Sequence, residues 1–434
     1  MRGLVQSTII IAFSACISFV TTAAADSTPE AVFTGADAFP WNRVERMRNP
    51  HPGFTRENFH PENTIQNPQL KKWFGGTATP HSGVYLLHYM TGFDSRVKAG
   101  SIPVLLIHGA ADNANRAWIH PWEALMPSQL APDKRGFALQ LHDAGYPVFA
   151  ITFAHGHGDN FMQAAHVAGA IERTGCGRID VIAHSKGAVT ARLYASGGRD
   201  LFNDKVFLPA YRGDIRNFIA IASPMRGVDT PFRYYGYNLK VASDGAGLPM
   251  AATALLFNGQ WRDFTAMTLY FGSAGWFPGQ AQMLFNLVRD AGIGLGPDSA
   301  TADYGATAAA LYHGGTTALA SSRGIDSAIR DGGSLIYRLE QRGIDPGINL
   351  GVIAGNSPFI TYPLPGQLVP MPWELYTPAG DGIVFLASSM HTDAILRRGA
   401  RLLGKHEFNL NHVDIARMPA VMARITSWLA ANQR

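Results

Sequence analysis

The run IDVIAHSKGAVTARLY, residues 179–194, ends an apolar stretch abruptly at Ala183-His184-Ser185-Lys186-Gly187 and continues with helical spacing. A serine at such a junction has two readings. It is a helix N-cap whose hydroxyl accepts a backbone N–H, or a nucleophile on a tight strand-to-helix turn of the G-x-S-x-G kind. The turn demands small neighbours, because it brings backbone and adjoining elements close together. Ala183 and Gly187 meet that demand, with a methyl group at the first position instead of a bare glycine. A serine hydroxyl is a weak nucleophile, so the second reading requires a base, an acid to orient that base, and donors for an oxyanion.

Candidates for each part lie elsewhere in the chain. His412 in FNLNHVDI follows the last predicted strand, and Asp381 in YTPAGDGIVFLASS occupies a glycine-flanked turn after the preceding one. The order Ser, Asp, His suits a sheet whose strand ends collect the site. In these roles His412 takes the proton from Ser185 and returns it to the leaving group, while Asp381 fixes the tautomer of His412 and stabilises its imidazolium. The backbone N–H of Lys186, at the start of the following helix, and that of Ala110, just after PVLLIHG, are the expected oxyanion donors.

Competing residues are numerous, since the chain has 15 histidines. His391 follows Asp381 too closely and reads as part of a surface helix; His406 alternates with Phe408 inside a strand. His108 precedes the serine and reads as a loop buttress. Asp393 and Asp414 compete with Asp381 for the acid. His155 and His157 in AHGHGDN hint at a metal pair but lack a carboxylate set, so a loop at a pocket edge is expected. Lys186 lacks the S-x-x-K spacing of a Ser-Lys dyad. It is expected as a solvent or pocket-rim cation. Cys176 in RTGCGRI has no basic neighbour arranged to activate it and reads as structural.

These groups need a sheet to hold them. VYLLHYMT, PVLLIHG, YPVFAITF, IDVIAHS and IRNFIAIASP read as strands separated by helical segments such as NFMQAAHVAGAIERTG. Near-continuous apolar strands alternating with helices predict an α/β fold: a mostly parallel sheet with helices on both faces. The rhythm lapses over residues 228–341, rich in Gly, Ala, Phe and Trp, where apolar spacing favours helices. It resumes at INLGVIAG, a strand near LLGKHEFN, and the helix MPAVMARITSWLAAN. The expected organisation is a leader over 1–25, an aperiodic extension wrapped on the core over 26–80, a first core half over 81–227, a helical insertion over 228–341 and a second core half over 342–434.

Composition narrows the class. The 434 residues are 47% hydrophobic and 16% charged, and the net charge of +4 is spread without a Lys/Arg block, so nucleic-acid binding is not expected. Arg2, the apolar Ile9–Val20 stretch and Ala23-Ala24-Ala25 before Asp26 predict a secretory signal peptide, hence a secreted or periplasmic protein with no membrane span in its mature form. Of two cysteines, Cys16 leaves with the signal, and Cys176 alone cannot form an intrachain disulfide.

PVLLIHG, DVIAHSKGA, IASPMRG, DGIV and LNHVDI, in that order, make the chain resemble α/β-hydrolases, and more narrowly secreted bacterial lipases. The resemblance covers about Val84 to the end without the insertion. It implies an α/β-hydrolase fold with a helical lid or cap, Ser185, Asp381 and His412 as triad, and Ala110 and Lys186 as oxyanion donors. Lipases commonly carry glycine where this chain has Ala183 and often where it has Ala188. Some relatives bind calcium through an aspartate placed as Asp414 is here; no second acidic ligand precedes Asp381, so no cofactor is expected. Ester or lipid substrates, met at an interface, would be the partners. The large apolar residues of Leu255–Val288 either line an acyl groove or pack on the core. A polyester (hydroxyalkanoate) depolymerase, an acyltransferase and a catalytically silent binding protein are the alternative functions.

Overall fold

The computed structural model describes residues 29–59, 63–119, 135–233, 255–257, 277–295, 305–316, 320–361, 368–370 and 379–431. Its centre is a nine-stranded sheet. The strands are β1 (Pro29–Thr34), β2 (Arg43–Arg48), β3 (Val84–Tyr89), β4 (Val104–Ile107), β5 (Val148–Phe153), β6 (Ile179–His184), β7 (Ile215–Ile221), β11 (Asn349–Gly355) and β14 (Arg401–Phe408). They lie in the order β1-β2-β3-β5-β4-β6-β7-β11-β14. Pairings from β5 through β14 are parallel, and the three at the β1 edge are antiparallel.

Every residue of β3 to β7 is buried. Alternate side chains feed two cores, as the pleat requires. Leu105, Ile107, Val181 and Ala183 join one face with the helices Asn160–Arg173 and Lys186–Ala195. Val104, Leu106 and Ile182 join the other with Phe137–Asp143 and Pro419–Ala431. Both faces are covered, which is why these strands read as unbroken apolar runs.

The extension and the insertion differ from expectation. Residues 29–48 are not an aperiodic wrap: β1 and β2 extend the central sheet at its edge. The insertion contains helices, among them Pro278–Gln282, Gly305–His313 and Leu335–Arg342, and also a small sheet of β8 (Leu255–Phe257), β9 (Gly315–Thr316) and β10 (Ala320–Ser322). A further hairpin, β12 (Phe359–Thr361) with β13 (Leu368–Pro370), follows β11. Of the proposed groove segment, Phe277, Leu284, Phe285 and Leu287 are packed in the interior. Residues 258–276 and the leader lie outside the described residues. Among the described residues no helix is long and apolar enough to cross a membrane.

Candidate active site

Ser185 follows β6 directly and has φ 52° and ψ −129°, a conformation that side chains other than glycine rarely adopt. Such a residue costs about 1–3 kcal/mol and persists only where its surroundings force it. Here the Ser185 N–H is bonded to the Ile221 carbonyl of β7 at 2.9 Å, while the helix Lys186–Ala195 begins at the next residue. The small neighbours are required by contacts. A Cβ on Gly187 would lie 2.4 Å from the His108 carbonyl oxygen and 2.9 Å from Ile107 Cγ2. One on Gly109 would lie 2.9 Å from Ser185 Cβ. Ala183 raises no such conflict. It is buried in register with Ile107 and Ala220, and pairing of β6 with β7 runs unbroken from Asp180 to His184.

Asp381 and His412 reach the same place from the carboxyl ends of β11 and β14, where an open α/β sheet collects its ligands. His412 Nε2 lies 3.0 Å from Ser185 Oγ, and His412 Nδ1 lies 2.8 Å from Asp381 Oδ2. The other carboxylate oxygen of Asp381 accepts the N–H groups of Ile383 at 3.0 Å and Val384 at 2.8 Å. A carboxylate so engaged accepts a hydrogen bond from the Nδ1–H and leaves His412 Nε2 as the acceptor facing the serine. Space for this turn comes from Gly355, where a Cβ would stand 2.9 Å from Asp381 Cβ and 2.3 Å from the Leu410 carbonyl oxygen.

The backbone of His412 is clamped at both ends. Its N–H donates to the Asp381 carbonyl at 2.9 Å, and its own carbonyl accepts from His184 Nε2 at 2.9 Å. Burial holds His184 down at about pKa 4, so it stays a neutral donor at pH 7. The role of His184 was not evident from sequence; the available signal was a polar residue closing a strand that is otherwise apolar but for Asp180.

Among the described residues, neither the Ala110 nor the Lys186 backbone N–H has a hydrogen-bond acceptor. Lys186 is the first residue of its helix, so it has no intrahelical one. His108 is a buttress: its Nε2 accepts the Phe153 N–H at 3.2 Å and its Nδ1 donates to the Gly109 carbonyl at 2.7 Å.

The Lys186 side chain corrects an expectation. It is not at a rim or in solvent but 1% exposed, with Nζ donating to Gln163 Oε1. Burial lowers its pKa to about 7, against the pull of Glu57 and Asp159; burial also raises Glu57 to about 7. His155 and His157 are likewise interior. They link the extension, through His155 Nε2 and the Asn58 carbonyl at 3.0 Å, to the insertion, through His157 Nδ1 and Gln280.

The competitors stay outside the site. Asp393 is exposed, His406 is half-buried in β14, and His391 pairs with Glu340 at 2.8 Å. Cys176 is a free thiol at the edge of the core. Asp414 forms an ion pair with Arg417 and accepts from Asn411 Nδ2, which occupies the carboxylate that calcium would need. No group of three metal-ligating side chains occurs among the described residues.

Strand order, strained elbow and strand-end site together define an α/β-hydrolase fold. Residues 101–234 match the family model for lipase (class 2), a span that includes Ala110, Ser185 and Lys186 and ends before Asp381. That match makes the first half of the core similar to class 2 lipases. No curated protein matches the chain. Solved structures that resemble it include EstA from Clostridium botulinum, at 11% identity and TM-score 0.39 over 77% of this chain and 88% of that one. A Bacillus licheniformis lipase, BlEst2 in mature form, has 12% identity and TM-score 0.34 over 76% and 91%. A monoacylglycerol lipase from Paleococcus ferrophilus has 14% identity and TM-score 0.34 over 76% and 94%. At such scores the fold assignment rests on the strand order itself.

Proposed function

We propose that this chain is a secreted serine ester hydrolase that works through an acyl-enzyme on Ser185. The observation that carries the reading is the continuous hydrogen-bond chain from Asp381 through His412 to Ser185 Oγ. Ser185 Oγ attacks the ester carbonyl carbon as His412 Nε2 accepts its proton. The carbonyl oxygen becomes an oxyanion and takes the free N–H groups of Ala110 and Lys186. The tetrahedral adduct collapses, the C–O bond to the alcohol breaks, and His412 returns the proton to the departing oxygen. Water then attacks the acyl-Ser185 ester, losing a proton to His412, and Ser185 leaves with that proton as the carboxylic acid is released. Asp381 keeps the imidazole oriented throughout and offsets its positive charge.

The test is a panel of p-nitrophenyl esters of rising chain length, with emulsified triglyceride and polyester film, run on the wild type and on Ser185→Ala. The wild type should hydrolyse esters and be labelled by a fluorophosphonate. The variant should lose the label and about 10⁴-fold or more in kcat. Full activity in Ser185→Ala, or no wild-type activity on any ester, overturns the reading. Hydrolysis of the film at a rate matching the soluble esters would favour a polyester depolymerase.

A further inference from the structure

Lys186 contributes a backbone N–H to the site while its side chain runs the other way, into a buried hub. Its Nζ donates to Gln163 Oε1 on the helix Asn160–Arg173. Gln163 Nε2 in turn donates to the His155 carbonyl at 2.8 Å. Above the lysine stem sits the insertion turn: a Cβ on Gly279 would fall 2.2 Å from Lys186 Cε. That turn is stitched to the core by Gly279 N–H to the His157 carbonyl at 2.9 Å, Asn160 Nδ2 to the Gly279 carbonyl at 2.8 Å, and Asn160 N–H to Gln282 Oε1 at 2.7 Å. The extension enters through Glu57, whose carboxylate accepts the Asp159 N–H at 2.7 Å.

The Lys186 head group itself adds little to the stability of this hub. No ion pair to Lys186 occurs among the described residues, so a buried ammonium rests on one amide oxygen, with Glu57 and Asp159 acting on it only at a distance. A buried charge held this way is often replaceable by an apolar side chain without loss of stability. What the contact does fix is position. The lysine is extended between Gln163 and Gly279, and its backbone is the residue that follows the nucleophile.

We propose that the Lys186 side chain is a positioning residue: anchored on Gln163 and capped by the Gly279 turn, it holds the Lys186 N–H at the oxyanion and couples that donor to the insertion. The proposal rests on the serine-hydrolase reading, since it needs an oxyanion to form. A misplaced donor weakens binding of the tetrahedral state more than binding of the ester. The effect is therefore a loss in kcat, not in KM.

The test uses Lys186→Met, which keeps length and removes the ammonium, and Gln163→Leu, which removes the anchor without altering the residues at the ester. Active sites are counted by fluorophosphonate titration. Both variants should show kcat per titrated site down about tenfold, KM changed less than about twofold, and affinity for an alkyl boronic acid weakened by the factor lost from kcat. Melting temperature should hold or rise in Lys186→Met. A kcat per site within about threefold of wild type in both anchor-breaking variants overturns the proposal, whatever happens to melting temperature. If Lys186→Met does not fold, Gln163→Leu decides alone. Failure of the wild type to take the fluorophosphonate would count against the hydrolase reading and not against the lysine.

Discussion

His166 is a buried base without a hydrogen-bond partner among the described residues. It lies in the helix Asn160–Arg173, 2% exposed, stacked 4.5 Å from the ring of Tyr85 and 5.0 Å from that of Phe54. Neither ring nitrogen has a hydrogen-bond partner among the described residues. Burial lowers its pKa to about 3. An unfolded histidine titrates near 6.5, so between about pH 6.5 and 3 the unfolded chain holds a proton that the folded chain refuses. A depressed folded pKa gives stability that is complete above the unfolded value and is lost as the pH falls. At pH 5 the loss is about 2 kcal/mol from this one side chain. His166→Phe removes the titration and keeps an aromatic ring between Tyr85 and Phe54. Two other effects accompany it: relief of unpaired nitrogens, about 1–3 kcal/mol in its favour, and extra volume, about 1–3 kcal/mol against. Both are the same at every pH. The difference between pH 8 and pH 5 therefore isolates the proton. Urea unfolding of wild type and variant at both pH values, at constant ionic strength, should show the variant gaining about 2 kcal/mol more at pH 5 than at pH 8. An equal difference at the two pH values would refute the argument. Burial also lowers His88 to about 3 and His108, His155 and His184 to about 4, so wild-type stability should fall steeply over the same window.

Two further outcomes follow from contacts at the site. Gly187→Ala should lose about 2 kcal/mol and much of its kcat, because the clash with the His108 carbonyl outweighs the roughly 1 kcal/mol that alanine gains in a helix; a stabilised, fully active variant in urea melts and ester assays would show that the crossing is looser than described. Asp381→Asn should keep its fold yet lose about 10³- to 10⁴-fold in kcat per titrated site. The turn amides of Ile383 and Val384 hold the oxygen, so the amide NH₂ would face His412 Nδ1 and favour the wrong tautomer; a loss below tenfold would mean Asp381 is not the orienting acid.

Much of this arrangement was legible because strong signals coincided. β6 is apolar save for Asp180 and His184 and leads straight through Ser185 into a helix, with Ala183 and Gly187 as small neighbours, so the elbow stood out, and DGIV and LNHVDI marked turns after later strands. The two edge strands were hidden by their charge. In β2, RVERMR, the interior Val44 and Met47 are separated by Glu45 and Arg46; Glu45 is buried because Arg173 pairs with it at 2.9 Å. A partner 128 residues away leaves no local pattern. β9 and β10, two and three residues of Gly, Thr, Ala and Ser, are too short for any period to show.

Lys186 shows a different limit. Side chains at adjacent positions of an elbow diverge, so Lys186 points away from Ser185, which agrees with its expected place in solvent or at a pocket rim. Divergence sets the direction of a side chain, however, and not what lies in that direction. The insertion returns over the start of the helix, and Gly279, lacking a Cβ, leaves room for the lysine stem. The same geometry explains why Ala183 is harmless while Gly187 is not. Ala183 is buried on one face of the sheet, in register with Ile107 and Ala220, and the strand pairing beside it is unbroken. Gly187 lies where the helix crosses the end of β4, against backbone that cannot withdraw without moving His108 and the loop that carries Ala110. Crowding at this elbow is therefore set by what crosses it: at Gly187 that is the His108 backbone at the end of β4, which leaves no room for a Cβ.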